Sequence, residues 1–537
     1  MRKASYLVAT LCVYATSPSW AAINIQPDPL NPTGYVIKRS DIEAVEQEQT
    51  SNPMYQVWSQ ALGTVPNDIV EAIEPGLDSN PSNVKRAERV FPKQEWDFLT
   101  HMATFEYSYI RFLRAIGKFP AFCGLYTDGR DADAICKRSI VTAFAHFAQE
   151  TGGHIAKDNT SDNPLGLEEW QQALVHVREM GWFEGDVGYT TGCGQNNWQN
   201  RKWPCGAGQG YFGRGAKQLS YHFNYGAFSE VMFAGDATVL LNNPGLVADS
   251  WLNLASAIWF FLTPQAPKPA MLHVIDGTWQ PSQREIDAGI GYGFGTTINI
   301  INGGIECGAQ NKDKGQPVNR IKYWQGLSSH YQIPLSLDEK DTCWQQTPYG
   351  SLNLDGAEDV LYTNWDGNWK YYPNRPAGYS FECELVGFQT AYSALVAGDY
   401  EKCVTNFYES HAQWPEVRIV DQLDVPDPNK GKEWNVNKQY MAGEEVTYKK
   451  NTYQAKWWTK GDRPDLGGPW EEVLDGPTKP NPSEFIPWQE GVTQVSDGDK
   501  VIHNGKCFSA KNGPGVWDTP LQSNWFWDEI QCPSFEI

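Results

Sequence analysis

The sequence lacks an excess of positive charge and, beyond its first residues, lacks apolar runs long enough to cross a bilayer. Its 537 residues carry a formal net charge of −21, which argues against nucleic acids and anionic membranes as partners. The apolar run from Ala255 to Leu262 is too short for a membrane-spanning helix, which needs about 20 residues. We therefore expect no nucleic-acid partner and no membrane partner.

Motifs of several enzyme classes are also missing. There is no Gly-x-Ser-x-Gly elbow and no P-loop, and the glycines of Gly206–Gly210 follow a cysteine loop instead of a strand. His146, Glu150 and His154 have the four-residue spacing of a helical metal site. Gly152-Gly153 should end the helix before His154, so we expect no metal and no cofactor.

The N-terminus has the pattern of an export signal. Two basic residues precede the apolar run Tyr6–Ala15, and Ser19-Trp20-Ala21 supplies a cleavage site after Ala21. Cys12 lies inside this segment, so 11 − 1 = 10 cysteines remain, an even number that indicates disulfides in an exported chain. We expect a secreted, extracellular protein that is a monomer.

Apolar residues at helical spacing dominate the region after residue 90. Trp96 to Ile116 is predicted to form one long amphipathic helix, and Ile140–His154 a second helix that stops at Gly152-Gly153. Glu150 lies near the C-terminus of that second helix, on its buried side. The helix dipole and partial burial should both raise the pKa of such a carboxyl, as a general acid requires.

A further acid-bearing helix is predicted from about Trp170 to Met180, ending at Gly181. It places Glu179 at its end, where it becomes a second candidate catalytic acid. Glu168, Glu169 and Glu184 are rival candidates, although acids in a first helical turn commonly serve the dipole.

Two later segments mix polar groups, aromatic rings and glycines. Tyr211–Gly226 and Asn299–Cys307 have the composition of a lined cleft and not of a core. Asn224 and Asn302 can equally be explained as turn residues.

Residues from about 88 to 349 resemble the family 19 glycoside hydrolases, the chitinases best known from plants. The matching segments occur in order: Gln149–Gly153, Trp203-Pro204-Cys205, Tyr211–Gly226, Ala257–Phe260, Pro267-Lys268-Pro269 and Asn299–Gly308. The resemblance implies a mainly α-helical, lysozyme-like catalytic domain.

The resemblance also implies roles for individual residues. Glu150 would be the general acid and Glu179 the base that activates water in an inverting mechanism. Ser220 would help to position the water, and Glu306 with Arg320 would form a charged network beside Glu150. The implied substrate-binding residues are Trp203, Tyr211, Gln218, Asn224 and Asn302.

Five disulfides are expected. The resemblance implies Cys193–Cys205 and Cys307–Cys343. Proximity in sequence suggests Cys123–Cys136, Cys383–Cys403 and Cys507–Cys532, although spacing alone does not determine connectivity.

The C-terminal part contains an imperfect repeat of 55 residues. Gly443, Val446, Tyr453, Ala455, Lys456 and Trp470 recur as Gly498, Val501, Phe508, Ala510, Lys511 and Trp525. The first copy, with Tyr453, Trp457 and Trp458, resembles the small β-type chitin-binding modules of families 5 and 12. A module of roughly 45 residues has little core to fill, so we expect Trp457 or Trp458 to be exposed. The second copy lacks this pair but has Trp517, Trp525 and Trp527.

The predicted architecture is a helical catalytic domain followed by two small β-type carbohydrate-binding modules. The predicted boundaries are 1–21 (signal peptide), 22–85 (no assigned role), 86–422 (catalytic domain, core 88–349 and extension 351–420), 423–433 (linker), 434–473 (chitin-binding module), 474–484 (linker) and 485–537 (second, divergent module). The predicted function is a secreted chitinase of the endochitinase type. The alternatives are a peptidoglycan hydrolase on the same scaffold and a non-catalytic chitin-binding protein.

Overall fold

The structure is a computed structural model that describes residues 23–354, 359–368, 382–409, 416–422, 433–449, 451–473, 485–488, 493, 495–521 and 525–532. The predicted signal peptide and both predicted linkers, apart from Glu433, lie outside these residues. Within the described ranges, every helix is too short or too polar to span a bilayer.

Helices make up most of the regular structure between residues 39 and 330. In chain order the elements are β1 (Ile25–Asp28), β2 (Asn31–Lys38), α1 (Arg39–Gln49), α2 (Pro53–Ala61), α3 (Asn67–Glu71), α4 (Ser82–Val90), α5 (Lys93–Leu99), α6 (Tyr109–Lys118), α7 (Ala132–Thr151) and α8 (Trp198–Lys202). Then follow α9 (His222–Met232), α10 (Thr238–Asn242), α11 (Leu246–Asp249), α12 (Leu252–Leu262), α13 (Met271–Asp276), α14 (Gln283–Asp287), α15 (Phe294–Glu306) and α16 (Gly315–His330).

Strands make up most of the regular structure after residue 360. They are β3 (Asn364–Gly367), β4 (Cys383–Val386) and β5 (Tyr392–Ser393), then α17 (Asp399–Glu409) and β6 (Val417–Val420). The remaining strands are β7 (Gln439–Tyr440), β8 (Glu445–Tyr448), β9 (Asn451–Ala455), β10 (Thr459–Lys460), β11 (Trp470–Glu472), β12 (Ile486–Pro487), β13 (Lys500–His503), β14 (Lys506–Ala510) and β15 (Trp527–Ile530).

The chain divides into two compact units. The helical unit comprises Gln49–Asp366 and Glu384–Tyr400, and the β-rich unit comprises Met1–Glu48, Gly367–Cys383 and Glu401–Ile537. The predicted fold class is confirmed, because a mainly α-helical domain is followed along the chain by two small β-type modules.

The central element of the helical unit is α7. Its N-terminus is capped by Asp131, whose carboxylate accepts hydrogen bonds from the N–H groups of Asp133 and Ala134, both at 3.0 Å. Most of its middle is buried, and it packs against α4, α13 and α16. The helix ends at Gly152, as predicted: a Cβ there would lie 2.2 Å from the carbonyl oxygen of Ala148, so only glycine fits this close approach.

The predicted long helix from Trp96 to Ile116 is wrong. The chain forms α5, a turn over residues 100–108, and then α6, whose N-terminus is capped by Ser108. In the turn, the N–H of Thr104 donates to the carbonyl of Leu174 at 3.1 Å. The apolar spacing continues across the break because both helices pack on the same core, whereas Phe105 in the turn is exposed.

The predicted helix from Trp170 to Met180 is also wrong. After a single 3₁₀ turn at Glu169–Gln171 the chain is non-helical, and the N–H groups of Val175 and His176 donate to the carbonyl of Thr151 at 2.8 and 3.0 Å. Further on, Arg178 pairs with Arg214 in an isolated bridge. Neighbouring segments of the same chain therefore pair with the backbone groups that a helix would pair internally.

All five predicted disulfides are present: Cys123–Cys136, Cys193–Cys205, Cys307–Cys343, Cys383–Cys403 and Cys507–Cys532. Each closes a loop of the chain, which restricts the unfolded state and so stabilises the folded one.

Four small sheets belong to the described part of the β-rich unit, one of which is the two-stranded pair of β7 and β10 in the first module. Strand β2 pairs antiparallel with β1 and parallel with β6, which joins residues near the N-terminus to residues 417–420. The first module is built on the antiparallel sheet β8-β9-β11, and the second on β12-β13-β14-β15. Each module has its own small core, which contains Trp470 in the first module and both Trp488 and Trp527 in the second.

Candidate active site

Glu150 lies in the last turn of α7, where it contacts the guanidinium of Arg320 on α16. Arg320 also binds Glu306, with Nε donating to Oε2 at 2.8 Å and a terminal nitrogen donating to Oε1 at 3.0 Å. Glu306 is the last residue of α15, and Asn302 one turn earlier donates to its Oε1 at 2.9 Å. The structure thus brings Glu150, Glu306 and Arg320 into one network of two carboxylates and one guanidinium.

The network is buried everywhere except at Glu150. Arg320 and Glu306 have almost no exposed side-chain surface, whereas Glu150 keeps 16% of its own exposed. An arginine can only donate, so His146 accepts from Arg320 at Nδ1 over 3.2 Å and donates from Nε2 to Thr297 Oγ1 over 3.0 Å. Burial, and after it the charge of Arg320, lowers the pKa of His146 well below its usual value, which keeps the ring neutral.

The expected raised pKa of Glu150 is wrong for the protein without substrate. Burial raises the pKa of Glu150, but the positive charges of Arg320 and Lys217 outweigh it, so the pKa lies below its usual value. The expected rise rested on burial and the helix dipole, which leave out the positive charge of Arg320. Lys217, which the sequence argument did not consider, adds a second cation.

Glu179 is held by two donors, one on each carboxylate oxygen. The hydroxyl of Tyr189 donates to Oε1 at 2.6 Å, and the N–H of Gly213 donates to Oε2 at 2.9 Å. The backbone is fixed as well, because the N–H of Glu179 donates to the carbonyl of Gly213 at 2.9 Å. Hydrogen bonding to Glu179 raises the pKa of Tyr189 to about 12. The arrangement fixes the direction of the carboxylate.

The segments that carry Glu150 and Glu179 are bonded to each other. The carbonyl of Thr151, next to Glu150, accepts the N–H groups of Val175 and His176. Two residues after His176, the chain enters the bridged stretch at Arg178 that leads to Glu179. A single run of backbone hydrogen bonds therefore supports both carboxyl groups.

The rival acids have other partners. Glu184 binds the buried guanidinium of Arg214 at 2.8 Å and that of Arg178 at 2.6 Å. Glu169 binds Lys322 and the hydroxyl of Tyr323, both at 2.9 Å, and Glu168 binds Lys157 at 2.6 Å. Each of the three rival carboxylates is therefore paired with at least one cationic side chain.

Four of the predicted polar site residues remain partly exposed: Gln218, Ser220, Asn224 and Asn302. A Cβ on Gly213 would lie 2.6 Å from Gln218 Oε1 and 3.2 Å from Glu179 Oε2, so the Gln218 amide lies beside the Glu179 carboxylate. Ser220 donates to the carbonyl of Gln218 at 3.0 Å, and Asn224 donates to the carbonyl of Ser220 at 2.9 Å. These contacts join three of the four, Gln218, Ser220 and Asn224, in one short stretch of chain that lies beside Glu179 at Gln218.

Two predicted substrate-binding aromatics are instead core residues. Tyr211 has no exposed surface, and its hydroxyl donates to the carbonyl of Leu241 at 2.7 Å and accepts from the N–H of Gly206 at 2.8 Å. Trp203 is 4% exposed and packs over Gly226, where an added Cβ would lie 2.4 Å from the indole. Neither ring can stack on a sugar, so the interpretation of both as binding residues is wrong.

Two residues of the site were not found from the sequence. Tyr189 follows a glycine-rich stretch without periodicity, and nothing in its spacing links it to Glu179. Lys217 lines the same small cavity as Glu150 and His146, with its Nζ 4.3 Å from the ring centroid of Phe260. The sequence signal that could have identified Lys217 is its position within a segment of glycines and aromatic residues, Tyr211–Gly226.

The metal-site reading is not supported by the geometry of the helix end. His154 lies beyond α7 with a φ of 51°, and its Nδ1 is 2.8 Å from the hydroxyl of Tyr323. Cys193, Cys205 and His222 form the one cluster of three ligand-type residues found among the described parts of the chain. Both sulfurs of that cluster belong to a disulfide, so they are not thiolate ligands.

Trp457 and Trp458 of the first module are exposed, at 55% and 54% of their surface. The expectation that at least one of them is exposed is therefore confirmed. Tyr453, predicted as a third chitin-contacting residue, is buried in the module core with Tyr440 and Trp470, so that assignment is wrong. The β-strand alternation places Tyr453 inward, opposite to a ligand-facing side chain.

The helical domain and its two supported carboxyl groups define the class of protein: a glycoside hydrolase with a lysozyme-like fold. Residues 99–336 match the family model described as chitinase class I, and residues 433–471 match the model of carbohydrate-binding module family 5/12.

Curated relatives agree with this class. Endochitinase 2 of Solanum tuberosum is 40% identical over 221 residues, which cover 41% of this chain and 61% of the relative. Endochitinase B of Nicotiana tabacum is 37% identical over 247 residues (46% and 67%), and the basic endochitinase of Vitis vinifera is 35% identical over 255 residues (46% and 70%). The chain belongs to the chitinase class I family, the family 19 glycoside hydrolases. It spans about three fifths of the length of the potato relative.

Among solved structures, chitinase C from Streptomyces griseus HUT6037 is similar with a TM-score of 0.33 and 22% identity, over 47% of this chain and 97% of that one. The class IV chitinase from Zea mays is similar with a TM-score of 0.31 and 22% identity, over 47% and 97%.

Proposed function

We propose that the protein is a secreted chitinase that hydrolyses polymers of β-1,4-linked N-acetylglucosamine with inversion at the anomeric carbon. The observation that carries the proposal is the contrast between the two carboxyl groups. Glu150 lies at the edge of a buried charge network, whereas Glu179 is oriented by one hydrogen bond on each oxygen. Two carboxyl groups in different surroundings are what an acid and a base require.

In the proposed reaction Glu150 protonates the oxygen of the leaving sugar, and Glu179 takes a proton from the attacking water. The bond from the anomeric carbon to the leaving oxygen breaks while the bond to the water oxygen forms. Glu150 must be protonated before each turnover. Burial of the Glu150 carboxyl favours this protonated form, and the charges of Arg320 and Lys217 oppose it.

The polar residues beside Glu179 are proposed to position the water and the sugar. Gln218 lies beside Glu179, Ser220 donates to the carbonyl of Gln218, and Asn224 donates to the carbonyl of Ser220. Asn302 is proposed to contribute through its bond to Glu306. We also propose that the chain is exported after cleavage at Ala21. The proposed domains begin at residues 22, 86, 434 and 485, and the proposed linkers begin at residues 423 and 474.

The first module is proposed to hold the enzyme on insoluble chitin through Trp457 and Trp458. Its match to carbohydrate-binding module family 5/12 and its two exposed indoles support this role. A tethered binding module raises the effective concentration of the catalytic domain at the polymer surface.

The test of the two acids uses matched glutamine substitutions. We expect Glu150→Gln and Glu179→Gln each to lower turnover of soluble chitin oligomers by about 10²- to 10⁴-fold, the usual size of general acid–base assistance. Glu168→Gln, which alters a carboxylate that pairs with Lys157 at the surface, is the control and should leave turnover unchanged. A loss under about tenfold at Glu179 would reject it as the base.

Proton NMR of freshly released products tests the stereochemistry. Direct attack by water on a β-linked chain yields the α-anomer first, before mutarotation. Early appearance of the β-anomer would contradict the inverting mechanism. Clearing of bacterial cell walls without release of chitin oligomers would show that the substrate is peptidoglycan.

A further inference from the structure

The second module reproduces the backbone hydrogen bonds of the first module pair by pair. In the first module the N–H of Gly443 donates to Ala455, that of Ala455 to Glu444, and that of Lys456 to Pro469, at 2.7, 2.9 and 2.7 Å. In the second module the N–H of Gly498 donates to Ala510, that of Ala510 to Asp499, and that of Lys511 to Phe526, at 2.8, 2.8 and 2.9 Å. The two modules therefore share one backbone framework, although the family model covers only residues 433–471.

The buried tryptophans correct the alignment of the repeat. Trp470 pairs with Ala455 across the ladder and donates its indole N–H to the carbonyl of Asp462 at 2.8 Å. Trp527 pairs with Ala510 and donates to the carbonyl of Asp518 at 2.5 Å. The equivalent of Trp470 is thus Trp527, and not Trp525 as the 55-residue spacing indicated. The segment between β14 and β15 of the second module is therefore two residues longer than the segment between β9 and β11 of the first.

This correction leaves Trp525 without a counterpart in the core, and Trp525 is in fact 73% exposed. It precedes Trp527, the first residue of β15, by two residues. Counting outward from the pair Ala510 and Trp527, the antiparallel register places Trp525 opposite Asn512. The contact is direct, since the side-chain amide of Asn512 donates to the carbonyl of Trp525 at 2.7 Å.

The same count in the first module places Trp457 opposite Gly468. Just beyond the end of each ladder the two modules therefore carry complementary residues: Trp457 and Gly468 in the first, Asn512 and Trp525 in the second. The exposed indole follows β9 in the first module, whereas in the second it precedes β15. A second exposed indole, Trp517 at 58%, directly precedes Asp518, whose carbonyl holds the buried Trp527.

We propose that the second module is a separate polysaccharide-binding site in which Trp525, together with Trp517, stacks on the sugar rings of a β-1,4-linked N-acetylglucosamine chain. The ligand class rests on the proposed function, because a module equivalent to a chitin-binding one lies on the same chain as the catalytic domain. A wide, flat indole presents the apolar surface that stacks on the face of a pyranose ring. Two sites on one chain increase retention on a polymer that repeats its binding unit.

The test measures binding of the full-length chain to powdered chitin, in a Glu150→Gln background that prevents digestion during the assay. With the first site removed by Trp457→Ala and Trp458→Ala, measurable binding should remain. Adding Trp525→Ala should then weaken binding by about 3- to 10-fold, the range expected for loss of one stacked aromatic ring. Trp525→Tyr, which retains an aromatic ring, should restore most of the binding.

The matched control is Ile502→Ala, which removes an exposed apolar side chain from β13 of the same module and should leave binding unchanged. Near-ultraviolet circular dichroism of each variant checks that the module core is intact. Unchanged binding in Trp525→Ala, or an equal loss in Ile502→Ala, would overturn the proposed site. Binding to cellulose but not to chitin would overturn the ligand class. Because binding is measured without turnover, a failure of the proposed hydrolase activity would be detected separately.

Discussion

Substitution of Tyr189 by phenylalanine isolates the support of the proposed base. The change removes only the hydroxyl that donates to Glu179 Oε1 at 2.6 Å, while the Gly213 N–H still holds Oε2. A hydrogen bond to a charged group contributes about 1.5 to 3 kcal/mol. About 1.4 kcal/mol corresponds to a tenfold change in rate, so complete loss of orientation would lower kcat by about 10- to 100-fold.

The assay is the initial rate on a soluble chitin oligomer, with kcat and KM separated. We expect kcat to fall and KM to change little, since Tyr189 acts on the base and not on the bound sugar. Tyr221→Phe is the control, because Tyr221 lies 5.2 Å from Tyr189 between ring centroids and its hydroxyl has no hydrogen-bond partner within the described part of the chain. Equal rates for the two variants would refute the role of Tyr189. A lower melting temperature with unchanged kcat would show that the hydrogen bond is only structural.

Two further predictions follow from the electrostatics and from the first module. Lys217→Met removes a positive charge that lowers the pKa of Glu150, so this pKa should rise and the alkaline limb of the kcat/KM profile should move to higher pH. An unmoved limb, or one moved to lower pH, would show that Lys217 does not act on Glu150. Deletion of residues 434–537, or Trp457→Ala with Trp458→Ala in part, should lower activity on insoluble chitin and spare soluble oligomers. An equal loss on both substrates would instead show that the C-terminal part stabilises the helical unit.

The end of α7 could be predicted from the sequence because its causes are local. Apolar spacing identifies the buried side, and Gly152 marks a point where a Cβ would lie 2.2 Å from the Ala148 carbonyl oxygen in the last turn of the same helix. Those two facts were sufficient to place Glu150 at a helix end. They were not sufficient for its pKa, because Lys217 meets Glu150 only through the folded chain.

The stretch before Glu179 shows why local patterns mislead. Leu174 and Val177 have helical spacing and are buried, yet the chain there is non-helical and is held by Thr151 and Gly213. Periodicity reports which side chains are buried, and an irregular segment pressed against a core can bury the same ones. The prediction for Trp203 was wrong for a different reason. An aromatic ring near glycines can line a cleft or fill a core, and the sequence does not distinguish the two.

The two hydrogen bonds accepted by the carbonyl of Thr151 couple the motions of the two glutamate-bearing segments. This carbonyl accepts two N–H groups from the segment that leads to Glu179, and it belongs to the helical turn that carries Glu150. The segments of the proposed acid and of the proposed base are therefore both attached at Thr151, and fraying of the last turn of α7 would displace both together. Protection of the Val175 and His176 amides from hydrogen exchange accordingly reports how often the pair is aligned for reaction.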